Sequence, residues 1–188
     1  MKKFAKAVIV LGILVLVYGS AHSDDKNKND GTSLHAHLTG FQEVPSVSTA
    51  ATGEFRATIS KDEQTIDYVL SYEGLQNTVT QSHIHFGQRG VAGSIVIWLC
   101  GTALVTTAPP GTQTCPQSAP QDAPLKGKIT ASNVIAASTT SQLILAGELA
   151  EVIAAIRGGV AYANVHSTPL TTGGEIRGQI KVVRGDRD

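Results

Sequence analysis

The sequence predicts an all-β fold, an antiparallel β-sandwich or barrel of Greek-key-like character, with one short helix near the C-terminal third. Three observations point there. Apolar and polar residues alternate over short runs, the period of a half-buried strand. Turns bearing glycine or proline separate those runs, and 19 glycines stand among 188 residues. Aromatics are few while Thr, Val and Ile are plentiful, a composition that suits pleated surfaces. No internal repeat or second domain boundary interrupts the pattern, so one domain is expected.

The chain opens on what reads as an export signal. Lys2, Lys3 and Lys6 make a basic start, Ala7 to Val17 is almost unbroken apolar, and Gly19-Ser20-Ala21 offers the small residues of a cleavage site. The apolar run falls short of the ~20 residues of a membrane span, and the cleavage-site residues favour removal, with an uncleaved N-terminal anchor as the alternative. No cysteine follows it to suggest a lipoprotein. Residues 1–21 are therefore assigned as signal peptide, and the protein as secreted or periplasmic. Their loss leaves 12 basic against 15 acidic side chains. A mildly acidic domain without a basic stripe has no electrostatic footprint for nucleic acid. Residues 22–32 are polar, charged and aperiodic, as a disordered linker would be, which places the domain at 33–184.

The strands follow in order. Ser33 to Thr39 puts Leu34, Ala36 and Leu38 on one face and His35 and His37 on the other. Gly40 to Ala51 is a loop, where Pro45 prevents regular pairing. Gly53 to Ser60 and Thr65 to Tyr72 form a hairpin across the polar turn Lys61-Asp62-Glu63-Gln64. Val79 to Phe86 is the strand bearing His83 and His85, which must share one face while Ile84 takes the other. After the glycine-rich turn Gly87 to Gly93, Ser94 to Cys100 is apolar at nearly every position, as in a strand covered on both faces, and Trp98 reads as core. Leu125 to Thr130 is a further short strand, and a helical turn is expected near Ser132. Leu149, Val152, Ile153 and Ile156 fall at helical spacing within Glu148 to Arg157, with Gly158-Gly159 as the stop. Val160 to Ser167 and Gly174 to Val183 are the last two strands.

Cys100 and Cys115 are the only cysteines, and an oxidising compartment makes a disulfide the default reading. A paired thiolate metal site is the rival, but the spacing matches no zinc motif. Closing this loop should contribute roughly 3 kcal/mol.

Four of the six histidines come as His-x-His pairs, His35/His37 and His83/His85, and His166 closes another strand. Imidazole suits copper and zinc, and a strand His-x-His presents two such ligands from one face. His166 from a distant strand could complete a site of three nitrogens. The plainer alternative is a solvated face or a hydrogen-bonded sheet end. Nothing in the sequence fixes His35 and His37 beside the other three.

Several segments resemble a known family. Leu38-Thr39-Gly40-Phe41-Gln42-Glu43-Val44-Pro45 is similar to its opening element, Ser82-His83-Ile84-His85-Phe86-Gly87 to its central one, Tyr162-Ala163-Asn164-Val165-His166-Ser167 to a third, and Gly174-Glu175-Ile176-Arg177-Gly178-Gln179-Ile180 to its close. Together they resemble the CHRD domain, which recurs in chordin and is common in secreted bacterial proteins. The resemblance runs from Leu34 to Val183 and implies an extracellular all-β domain, with no established activity attached. His37 stands where the family more often carries a small or apolar residue. A looser resemblance is to copper/zinc superoxide dismutase, another β-sandwich with a copper-holding His-x-His. His83 and His85 resemble that pair and His166 a later ligand, but the bridging and zinc ligands have no counterpart.

No nucleophile motif and no phosphate-cradling loop is present, so no catalytic residue is assigned. Glu175 and Arg177, two apart, read as an ion pair or hydrogen-bond anchor, Glu43 as a loop carboxylate orienting amides or an arginine, and Asn164 as a partner of turn backbone or imidazole. The functional expectation is a secreted binding module for an unidentified extracellular protein. The alternative is a copper or zinc protein using His83, His85 and His166.

Overall fold

The computed structural model describes residues 31–170 and 172–183. The signal peptide and nearly all of the linker read from the sequence lie outside the described residues. Nine strands form a single antiparallel sheet that curls until its two ends almost meet. They are β1 (Thr32–Thr39), β2 (Thr52–Ile59), β3 (Ile66–Glu73), β4 (Val79–Phe86), β5 (Ser94–Gly101) and β6 (Leu125–Ile129). After the helix α1 (Leu149–Arg157) come β7 (Ala161–Ser167), β8 (Ile176–Gln179) and β9 (Lys181–Val182). The path across the sheet runs β5-β4-β7-β8-β1-β2-β3-β6, and β9 pairs β1.

Alternation explains the core. Leu34, Ala36, Leu38, Phe55, Ala57, Ile59, Ile66, Tyr68 and Leu70 are all buried, while His35, His37, Arg56 and Val69 face outward or lie half-buried. Each large apolar side chain so removed from water contributes about 1.5–3 kcal/mol. The amphipathic α1 buries Leu149, Val152, Ile153 and Ile156 in the same core and ends at Gly158, followed by Gly159 at φ +71°. Tyr68 on β3 donates a hydrogen bond to the Leu99 carbonyl on β5 at 2.9 Å, drawing the two ends of the sheet together. The 114–135 segment bridges the gap further, Ile97 pairing with Val134 and Gly101 with Thr114.

Three sequence expectations need correction. Thr32 belongs to β1, paired with Ile59, rather than to the linker. The last strand is two: β8 pairs β7, β9 pairs β1, and buried Ile180 between them gives its N–H to Ala161 at 3.0 Å. The break lets one stretch of chain turn the corner between the two halves of the sheet, which alternation alone does not reveal. Trp98 is half-buried rather than core, because it stands opposite His83 and packs on that ring. The helical turn near Ser132 is a single 3-10 turn, Ala131–Asn133.

Cys100 and Cys115 form the expected disulfide, with Cα atoms 4.9 Å apart.

Candidate metal centre

The site is built on the outer face of β4, β7 and β8. Antiparallel register sets His83 opposite Asn164 and Asn164 opposite Arg177, and the next row is His85, Tyr162 and Gln179. His166 follows Asn164 by two and so shares its face. On its other side β4 shifts register against β5 between Ser82 and His83 and again between Ile84 and His85, so irregularities flank both steps around the pair. Such bulges re-aim side chains.

An outward sheet face ordinarily meets solvent, yet this one is covered. His83 is 0 % exposed, His166 3 % and His85 7 %. The turn after β4 lies over it. Arg177 donates to the carbonyls of Gln88 and Val91 at 3.1 and 3.0 Å, Gln179 to that of Gly87 at 2.9 Å, and Gly93 N–H to the Tyr162 hydroxyl at 3.2 Å. Rings pack beneath it. His83 meets Trp98 edge-on at 4.2 Å between centroids, with His166 at 5.0 Å and His85 at 5.3 Å. His85 stacks on Tyr162 at 4.6 Å, and the Arg177 guanidinium caps the other side of that system, 3.3 Å from the Tyr162 centroid.

His83, His85 and His166 each turn a ligand nitrogen inward, and these atoms lie within 4.8 Å of one another. Nitrogens bound at about 2.0–2.1 Å to one ion stand at most about 4 Å apart, so an inward adjustment of about 1 Å closes the triangle. Both nitrogens of His83 and Nε2 of His85 are buried without a hydrogen-bond partner. His85 Nδ1 sits 2.9 Å from the Gly93 carbonyl, which fixes the proton on Nδ1 and the lone pair on Nε2. Burial, reinforced by the neighbouring imidazoles, holds His83 well below the ordinary histidine range. Burial likewise holds His85 at about 4. Both rings are therefore neutral at pH 7, the form that ligates metal.

Asn164 and Glu43 extend the group. The Asn164 amide lies 2.8 Å from His166 Nε2 and near enough to His83 and His85 to act on them, without closing a hydrogen bond to the free nitrogens of either. Burial raises the Glu43 carboxyl to about 7, against the opposing pull of Arg177, the Val44 amide and Asn164. Gly174, at φ +88°, lies so close that a Cβ there would strike Glu43 Oε1. A cleft of about 410 Å³ opens beside Glu43 and Arg177.

The other polar candidates separate from this centre. His35 and His37 share one carboxylate, Glu54, on the opposite half of the sheet, His37 Nδ1 lying 2.7 Å from Oε1. Glu175 precedes β8 and makes no ion pair with Arg177. It accepts hydrogen bonds from Thr49 at 2.7 Å, from the Gln76 amide at 3.0 Å, and from Ser167. It is the hydrogen-bond anchor of the two alternatives. Tyr162 and Trp98 were the site residues that pattern reading passed over. Tyr162 was findable, because it lies two before Asn164 on the same strand face.

A family model for the CHRD domain matches residues 34–180. The chain belongs to the CHRD domain family. No curated protein and no solved structure shows a match to it. The four CHRD-like segments of the sequence, far apart along the chain, supply Glu43, the His83/His85 pair, Tyr162 with Asn164 and His166, and Arg177 with Gln179. All of these residues meet in this one layer, buried except for the half-buried Gln179.

Proposed function

We propose that the protein is an exported, non-catalytic CHRD-domain binding module whose ligand is a single copper or zinc ion held by His83, His85 and His166. One observation carries the reading. Six buried side-chain polar atoms lack a hydrogen-bond partner among the described residues, and five of them belong to Glu43, His83, His85 and Asn164. An orphaned buried polar atom costs about 1–3 kcal/mol, and an ion held by the three imidazoles would take up two of the five, one nitrogen of His83 and Nε2 of His85. Three converging imidazoles make that ion a metal ion. The ion would supply Lewis-acid or electron-transfer character, while the residues around it hold the ligand rings and exclude water.

Export, through the N-terminal signal, would set the protein where extracellular copper and zinc are met. A concavity of about 720 Å³ lies across β1, β2, β3 and β6, lined by Leu34, Arg56, Ala57, Tyr68, Val69 and Lys126 among others. It favours a protein partner as a further ligand.

Metal analysis of the purified full chain tests the reading. One copper or zinc per chain is expected, lost in the H83A/H85A/H166A variant and retained in H35A/H37A. Unchanged stoichiometry in the triple variant would contradict it.

A further inference from the structure

We propose that the ion selected by this centre is monovalent copper, Cu(I), in preference to Zn(II) or Cu(II). The inference rests on the three-histidine reading and adds the identity of the ion.

Charge is the first argument. All three converging ligands are imidazoles, and no carboxylate or thiolate joins the cluster among the described residues. Both cysteines are tied in the disulfide. Three neutral donors leave the full charge of the ion uncompensated in a place that is 0–7 % exposed. The cost of carrying an ion into such surroundings rises with the square of its charge, so a dication costs about four times as much as a monocation.

The fixed charges nearby point the same way. Arg177, 2 % exposed, lies over Tyr162, whose ring stacks on His85, so a buried cation stands one ring away from a ligand. Glu43 contacts Asn164 and faces Arg177 but is not one of the converging groups. A second positive charge on the ion would meet Arg177 without a matching anion in the ligand set.

Coordination number is the third argument. Zinc closes a tetrahedron with a fourth protein donor or keeps a water in that position. Among the described residues no fourth His, Cys, Asp or Glu converges with the three, and the ring nearest His83 is Trp98, at 4.2 Å, an apolar wall rather than a donor. Imidazole suits zinc and copper alike, so the ligand type does not choose between them; Cu(I), with a filled d shell, is stable with three nitrogen donors and needs no fourth.

Asn164 gives the inference a sharp test. It stands opposite His83 in the β4–β7 register and 2.8 Å from His166 Nε2. Asn164→Asp sets an anion of nearly the same shape beside all three imidazoles. The full chain is titrated anaerobically with Cu(I) against the chromophoric chelator bicinchoninate, and in parallel with Zn(II) and Cu(II) against matched chelators. One Cu(I) per chain is expected, bound about a hundredfold or more tightly than either dication, and N164D should narrow that ratio about tenfold or more. Zn(II) or Cu(II) binding as tightly as Cu(I) would overturn the inference while leaving the three-histidine site standing. An unchanged ratio in a folded N164D would overturn the charge argument. If no ion binds, the three-histidine reading falls and the inference with it. The ratio in the natural chain decides the matter even if N164D folds poorly.

Discussion

The two His-x-His pairs have the same local pattern and opposite surroundings. His35 and His37 lie on the outer face of β1, at least partly exposed, and both are answered by Glu54 across the strand pair. His83 and His85 lie on the outer face of β4, buried under the Gly87–Gly93 turn, with three of their four nitrogens lacking any partner. The difference teaches that period two assigns a face but not its environment. Whether an outward face is solvent or interior depends on loops that come from elsewhere in the chain. In the half of the sheet that contains β1, the polar face is open to solvent and its two histidines are answered by Glu54. In the half that contains β4, the polar face is enclosed, and its groups are either fully bonded, like Glu175, or left for a ligand, like His83.

This contrast can be broken experimentally, starting with its largest expected effect. Glu175 is fully buried and answered by Thr49, Gln76 and Ser167, so Glu175→Ala orphans several donors at once. A loss of about 3–5 kcal/mol is expected in chemical denaturation. A loss below about 1 kcal/mol would mean the enclosed layer is open to water.

Glu43 predicts a pH dependence of known sign. Its folded-state carboxyl keeps the proton up to about 7, whereas the ordinary value is 4.5. A raised acid favours folding fully below the unfolded value and loses that contribution as pH rises through the folded one. Between pH 4.5 and 7 the loss should reach about 3 kcal/mol, partly hidden by other titrations. Arg177 and Asn164 are the groups that face Glu43 and oppose the shift. Glu43→Gln should flatten this part of the stability–pH curve, and an unaltered curve would show the carboxyl to be solvated.

A smaller effect separates binding from folding. If the nitrogens of His83 are kept for a ligand, they burden the metal-free fold. His83→Leu should then stabilise the metal-free protein by about 1–2 kcal/mol, read as a raised melting temperature with chelator present. A destabilisation of that size would place His83 among the structural groups. The smallest effect belongs to the outer pair: Glu54→Gln weakens one part-buried and one exposed contact and should cost no more than about 1 kcal/mol.

Much of the fold was legible because alternation is a local signal. The strands carrying Leu34, Phe55, Ile66 and Ile84, and the helix carrying Val152 and Ile156, follow from the spacing of apolar residues. The disulfide followed from there being two cysteines in a chain read as exported. The convergence of His83, His85 and His166 was legible only as a possibility, since β4 and β7 are 75 or more residues apart and nothing local pairs them. Burial of the face was not legible, because Arg177 and Gln179 pin the covering turn through contacts about 90 residues distant in sequence. Trp98 misled for the same reason: an apolar run reads as two-sided core even when one side packs on an imidazole.

The central claim is that three histidines surround one ion. The metal-edge X-ray absorption spectrum of the loaded full chain tests it most directly. The account predicts a first shell of three imidazole nitrogens near 2.0 Å, unchanged in H35A/H37A and abolished in H83A. A first shell of oxygens or sulfur, or a nitrogen shell that survives the loss of His83, would contradict it.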